Sequence, residues 1–263
     1  MQIKGIDVAR YQGLIDWDRV KASGIKFAML RAVSTRQSEG GIYIDPTFER
    51  NYAECKRVGM PCGVYYYTYA QDIKTVQAEL NMLYKAIDGK KFEYPIAIDV
   101  EENRLKPLSR DALTTLVCFA AESLESKGYF VQIYTYTYYK QTELDMLRLG
   151  KYDLWIADYR GKRPVFNHGM WQFSSTGSVP GIKKLVDMNW AYRDYPGMIK
   201  KAGLNGYSKK PAPELCDPKK MYKLCLGWLS RGDFCEAEQA LLPVIKKNDL
   251  GGLYTVEEAA HVN

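Results

Sequence analysis

Short apolar runs recur along this chain at intervals that shrink toward its end, and that spacing limits the fold more than any other feature. The runs cover residues 3–7, 26–32, 62–67, 94–100, 130–134, 154–158, 170–173 and 185–188. Helical patterns lie between the early ones. In DPTFERNYAECKRVG, Asp45 is placed to cap a helix, Pro46 to open it and Gly59 to end it. A second helix is expected over 109–127, ending at Gly128. Strands that alternate with helices pair in parallel through crossover connections. The last two gaps are too short for a crossover helix. The expected fold is therefore α/β, a TIM-like (β/α)5(β)3 barrel, with five strand–helix units and three nearly bare strands. A full TIM barrel of about 250 residues would not fit before Tyr207.

The barrel is expected over residues 1–204. The stretch NGYSKKPAPEL, 205–215, reads as a linker because Gly, Ser, Lys and two prolines interrupt the pattern. Beyond it, Asp217-Pro218 opens a helix with Met221, Leu224, Cys225, Trp228 and Leu229 on one face. A second helix follows Gly232 until Pro243, and Thr255 with Glu258 has capping-box spacing for a third. Residues 216–263 are thus expected to form a small all-α module of three helices. Wall binding and a packed or dimerising appendage are equally open for it.

Several function classes are disfavoured. The net charge of +6 is spread along 263 residues without a dense Lys/Arg block, so nucleic-acid binding is not expected. No apolar run approaches the roughly 20 residues that span a bilayer. Six cysteines show no C-x-x-C and there are only two histidines, so neither a metal site nor any other cofactor is expected. Buried thiols are the default, although Cys55 and Cys62 could pair if oxidised. A monomer is favoured. The N-terminus, MQIKGIDVARYQG, enters a strand with no apolar signal core, so the chain stays inside, leaves by another route, or has lost its signal.

The chemistry is carried by acids at strand ends. In YPIAIDVEEN, Asp99 and Glu101 share a face, because side chains two apart on a strand point the same way. Ile98 and Val100 then face outward, and Glu102 is expected to be a solvated bystander. Asp7 ends the first run, Asp158 the sixth, and Asp187 sits near the end of the eighth. In a parallel barrel all these ends open on one face, where such folds build their sites. A strand-end Asp taken singly caps a turn more often than it does chemistry. Gathered acids raise one another's pKa and keep one carboxyl protonated near neutrality. Cation binding competes as a use for oxygen ligands and ranks second here.

Tyrosines point to the substrate. There are 21, with Tyr65, Tyr67 and Tyr69 in VYYYTYA and Tyr134 ending the fifth run. Rings with hydroxyl handles suit sugar faces, although Tyr66 and Trp155 can equally fill the barrel. Acids and rings in one cleft suit glycoside hydrolysis, in which an acid protonates the leaving oxygen.

In these residues and their order the chain resembles the glycoside hydrolase family 25 lysozymes, the Chalaropsis-type N-acetylmuramidases of bacteria, fungi and phages. The matching stretches are GIDVARYQG (5–13), YIDPTFERNY (43–52), GVYYYTYA (63–70), IAIDVE (96–101), LWIADY (154–159) and WQFSSTGSVPGIKKLVDMN (171–189). The D-x-E alone is weak, since chitinases of another barrel family also end a strand this way; the ordered set is specific. The resemblance implies the same (β/α)5(β)3 barrel and retaining cleavage of the β-1,4 bond between N-acetylmuramic acid and N-acetylglucosamine in peptidoglycan. It implies Glu101 as general acid/base, and Asp99 as the group that attacks the sugar or steers its 2-acetamido group. Asp7 and Asp187 match supporting carboxylates, and Tyr65, Tyr134, Asp158 and Gln172 match sugar-binding positions.

The chain departs from the family at Arg10 and Tyr11, where His and Trp are usual, and at YYYTYA, where many members carry a His-Phe pair after the tyrosine. Substrate contacts, rather than the acids, are what these changes touch. A hydrolase of N-acetylglucosamine polymers and a decayed glycan-binding barrel are the alternatives. The expected location is extracellular or at the cell wall, reached by secretion or by release from a phage-infected cell.

Overall fold

The computed structural model describes residues 2–35 and 41–207; the helices expected over 216–263, and most of the linker, lie outside the described residues. The chain runs β1 (Ile3–Val8), α1 (Trp17–Ala22), β2 (Phe27–Thr35), β3 (Ile42–Ile44), α2 (Phe48–Val58), β4 (Cys62–Tyr67), α3 (Ile73–Ile87) and β5 (Ile96–Asp99). It continues with α4 (Arg110–Ser126), β6 (Val131–Tyr136), α5 (Thr137–Thr142), α6 (Met146–Leu149), β7 (Asp153–Ala157), β8 (Met170–Gly177), β9 (Val186–Ala191) and α7 (Tyr195–Ala202). Eight strands close into a ring in the order β1-β9-β8-β7-β6-β5-β4-β2, sealed by parallel pairing of β1 with β2. This is the expected five strand–helix units followed by three bare strands.

Three details differ from the expectation. The barrel is mixed, because β9 runs antiparallel to both β8 and β1. The short link between β8 and β9 cannot carry the chain back across the barrel, so the chain reverses. Strand β3, too short to register as a pattern, adds antiparallel to β2 outside the ring. Helix α2 starts at Phe48 rather than at Pro46, because the Asp45 carboxylate is used elsewhere, as described below.

Alternation along the strands divides the core into two layers. Outward residues such as Ile6, Leu30, Val64, Ile98, Val100 and Ile133 pack under the helices. Inward residues Phe27, Met29, Tyr65, Ala97, Tyr134, Trp155, Ala157 and Met170 fill the barrel. Phe27 stacks on Tyr94 with centroids 4.3 Å apart. The room for that pair comes from Gly5 and Gly63. A Cβ at Gly5 would lie 2.3 Å from the Phe27 ring, and one at Gly63 would meet Met29, Tyr94 and the Pro95 carbonyl.

Helix α7 closes the floor. Tyr195 packs on Tyr94 and Phe130, and its hydroxyl reaches Asp153 and Gln132. Asn205 belongs to this floor rather than to a linker. It is fully buried, its Oδ1 accepts from Phe130 N at 2.7 Å, and its Nδ2 donates to the Tyr94 carbonyl at 2.8 Å. Cys55 and Cys62 are buried free thiols, and burial together with the contact to Cys62 pushes Cys55 well above the usual range. Among the described residues, no helix is long and apolar enough to cross a membrane.

Candidate active site

Four acids meet at the mouth of the barrel, delivered by strand phase. Asp7 is in phase with Gly5 on β1, and Asp99 with Ala97 on β5; Glu101 lies just past the strand end, half-buried. Asp187 is in phase with Asn189 and Ala191 on β9. That strand is antiparallel, so Asp187 reaches the mouth from its strand's beginning, not its end.

A hydrogen-bonded chain links three of them, Asp7, Asp187 and Glu101. Asp7 Oδ2 accepts from Gln172 Nε2 at 2.8 Å and from Asn189 Nδ2 at 2.7 Å, and Asp187 hydrogen-bonds Asp7. Asn189 Oδ1 in turn accepts from Trp155 Nε1 at 2.8 Å. Gln172 Oε1 accepts from the Tyr134 hydroxyl at 2.9 Å and from the Tyr159 hydroxyl at 2.5 Å. Tyr134 also hydrogen-bonds Glu101. Trp155 supports the floor of the mouth, edge-on to Tyr134 at 4.6 Å and to Tyr65 at 5.9 Å. Trp155 and Tyr66 are almost wholly buried and serve as filling.

The electrostatics follow from burial plus crowding. Burial first, and then the charge of Asp7, pushes Glu101 up to about 7. Burial and Asp7 raise Asp187 to about 8. Asp7 rises to about 6 through burial, against the pull of Asn189 and Gln172. Asp99 lies well above the usual carboxylate range through burial, Glu101 and Asp7, with Arg31 drawing it back. Among the described residues its Oδ1 is buried without a hydrogen-bond partner. Such a set holds protons at neutral pH and titrates as a unit.

Asp158 is not a member of this set. It falls one residue out of phase with the inward Trp155 and Ala157, and its carboxylate accepts from Thr137 Oγ1 at 2.7 Å and Arg160 Nε at 2.8 Å. The Arg160 guanidinium holds it down at about 2. Its carbonyl accepts from Trp171 Nε1, so it braces the rim and offers no carboxylate oxygen to a sugar. Tyr159, in phase with Trp155 and Ala157, is the residue that reaches the mouth. Glu102 is not a solvated bystander either. Its Oε1 caps Arg104 N at 3.2 Å, and its Oε2 accepts from the Tyr67 hydroxyl at 3.3 Å.

A buried ion pair frames the β1–β2 side. Arg31 Nε and Nη2 donate to Asp45 Oδ2 at 2.9 and 2.8 Å. The same oxygen accepts from Arg10 N at 3.0 Å, while Oδ1 accepts from Thr47 N and Oγ1. Asp45 is thus a hub joining β2, the turn after β1 and the start of α2. Among the described residues, no group of three His, Cys, Asp or Glu side chains could hold a metal ion.

Protonatable carboxyls among tyrosine rings at the mouth of a closed α/β barrel are groups that glycoside hydrolysis draws on. The chain belongs to the glycosyl hydrolases family 25, whose model matches residues 6–182. It is similar to an autolytic lysozyme of Clostridium acetobutylicum, with 32% identity over 71% of this chain and 55% of that protein. It thus spans little more than half the length of that relative. The uncharacterized protein YegX of Escherichia coli K12 is 34% identical over 71% of this chain and 68% of its own. Among solved structures, the modular autolysin LytC of Streptococcus pneumoniae, in complex with a synthetic peptidoglycan ligand, superposes with a TM-score of 0.65. It shares 25% identity over 73% of this chain and 47% of that one.

Proposed function

We propose that the barrel is a lysozyme acting on peptidoglycan. In this reading it cleaves the β-1,4 bond between N-acetylmuramic acid and N-acetylglucosamine with retention at the anomeric carbon. The observation that carries it is Glu101, a half-buried carboxyl at the mouth that titrates at about 7 beside the buried Asp99. A carboxyl of that pKa is protonated often enough at neutral pH to donate to the glycosidic oxygen as the C–O bond breaks. The ionised share of the neighbouring acids then faces the positive charge developing on the sugar.

Asp99 Oδ1 lacks a donor, which suits a substrate N–H. This favours Asp99 steering the 2-acetamido group, whose oxygen attacks the anomeric carbon. Glu101, now ionised, takes a proton from the water that opens the resulting ring, and the configuration is retained. Tyr65, Tyr134 and Gln172 line the site, with Tyr159 added and Asp158 reduced to a brace. The names of the autolytic lysozyme and the peptidoglycan-bound autolysin support the substrate. Action at the cell wall, after secretion or phage release, follows from it.

The test is reducing-sugar release from purified peptidoglycan and from chitin oligomers by the wild type and by Glu101→Gln. The reading expects turnover on peptidoglycan by the wild type alone. Retained turnover in the variant, or preference for chitin oligomers, contradicts it.

A further inference from the structure

Arg10 sits exposed in the 3-10 turn Arg10–Gln12, which leaves β1 at the rim of the mouth. The turn is rigidly held. Arg10 N is tied to Asp45, Gln12 Oε1 accepts from Ala9 N at 2.9 Å, and Gln12 Nε2 donates to the Leu185 carbonyl at 3.0 Å. The Arg10 guanidinium carbon lies 5.3 Å from the ring centroids of both Tyr11 and Tyr43, so two aromatic contacts restrict it. Arg31 stands 4.9 Å from the Tyr11 ring as well. Arg10 and then Arg31 draw the exposed Tyr11 hydroxyl below its usual pKa, which marks this corner as a positive field.

Arg10 differs in pairing from the other arginines Arg31, Arg160 and Arg104. Arg31 is neutralised by Asp45 and Arg160 by Asp158, and Arg104 lies in a turn capped by Glu102. Among the described residues, no carboxylate lies within ion-pair distance of the Arg10 guanidinium, although Asp45 holds its backbone N–H. A guanidinium carries five N–H donors, and its planar fork matches a carboxylate. The rest of the mouth presents four acids, whose ionised share repels an anionic substituent. A substrate bearing a carboxylate on one sugar of each pair is therefore driven to lie with that group toward the β1–β2 corner.

We propose that Arg10, held between Tyr11 and Tyr43, is a specificity-determining residue that binds a carboxylate carried by the muramic acid substituent and so sets the register of the glycan. This rests on the peptidoglycan reading above. The carboxylate is either that of the free lactyl ether or one on an attached peptide, and both present the same chemistry to the arginine.

The test uses the full chain with three soluble muramic acid–glucosamine oligomers: peptide-free, peptide-bearing, and peptide-free with the lactyl carboxylate converted to its methylamide. Affinity by calorimetry and kcat/KM are measured for the wild type, Arg10→Gln and Arg10→Lys. Arg10→Gln is expected to weaken carboxylate-bearing oligomers about five- to tenfold, through KM. Arg10→Lys recovers part of the loss, and the methylamide binds both variants as it does the wild type. Loss on the peptide-free oligomer alone assigns the lactyl carboxylate; loss on the peptide-bearing one alone assigns the peptide's. An equal loss on all three oligomers, or none, overturns the proposal. Should the wild type bind the oligomers but cleave none, the lysozyme reading falls, while the affinities still judge Arg10.

Discussion

Replacing Glu101 by Gln should stabilise the folded barrel at alkaline pH while abolishing its chemistry. The Glu101 carboxyl titrates at about 7 in the fold against 4.5 in the unfolded chain. A raised carboxyl pKa means that the folded state binds the proton more tightly. The stability it contributes is present below 4.5 and is lost as pH rises through 7. At pH 8 the ionised form is disfavoured in the fold by on the order of 3 kcal/mol. Gln carries no charge to desolvate, fills nearly the same space and can donate to the Tyr134 hydroxyl oxygen. For a barrel of this size, 3 kcal/mol corresponds to a rise in Tm of about 6–12 °C. Thermal unfolding followed by circular dichroism should show that rise at pH 8 and almost none at pH 4. Equal melting of variant and wild type at pH 8, or the same gain at both pH values, would refute the account of why Glu101 is protonated.

Three further outcomes follow from named contacts. Asp7→Asn keeps the oxygen that accepts from Gln172 and Asn189 but removes the charge that helps to raise Glu101. The alkaline limb of the kcat/KM profile, which falls as Glu101 loses its proton, should move to lower pH; an unmoved limb would remove Asp7 from that role. Asp45→Ala leaves the buried Arg31 unpaired and frees Arg10 N, and should cost about 3–5 kcal/mol in denaturant unfolding. Asn205→Ala removes both side-chain bonds that seal the floor and puts a residue with a φ of 54° under strain, with an expected loss of about 2–4 kcal/mol. A melting curve matching the wild type would return Asn205 to the linker.

The ring of strands and its inward faces were legible because alternation is a local property. Asp99, Tyr65 and Tyr134 take their places from their neighbours two residues away, and the shrinking gaps announce the bare strands. What was not legible depends on partners distant in sequence. Nothing near Asp45 indicates that Arg31, buried in the next strand over, will claim its carboxylate and displace the helix start. Asn189 gains its role only when β9 reverses and sets it between Trp155 and Asp7. The positions of Asp158 and Tyr159 were in principle readable, since the inward phase of Trp155 and Ala157 excludes the first and includes the second.

In the proposed reaction this mouth cuts the glycan on the reducing side of N-acetylmuramic acid, with Glu101 as the acid. The most direct measurement digests purified peptidoglycan with the full chain, reduces the new ends with borohydride, and identifies them by mass spectrometry. The account predicts reduced N-acetylmuramic acid at every new end, and none after digestion with Glu101→Gln. Reduced N-acetylglucosamine at the new ends, or N-acetylmuramic acid ends persisting in the variant, would contradict it.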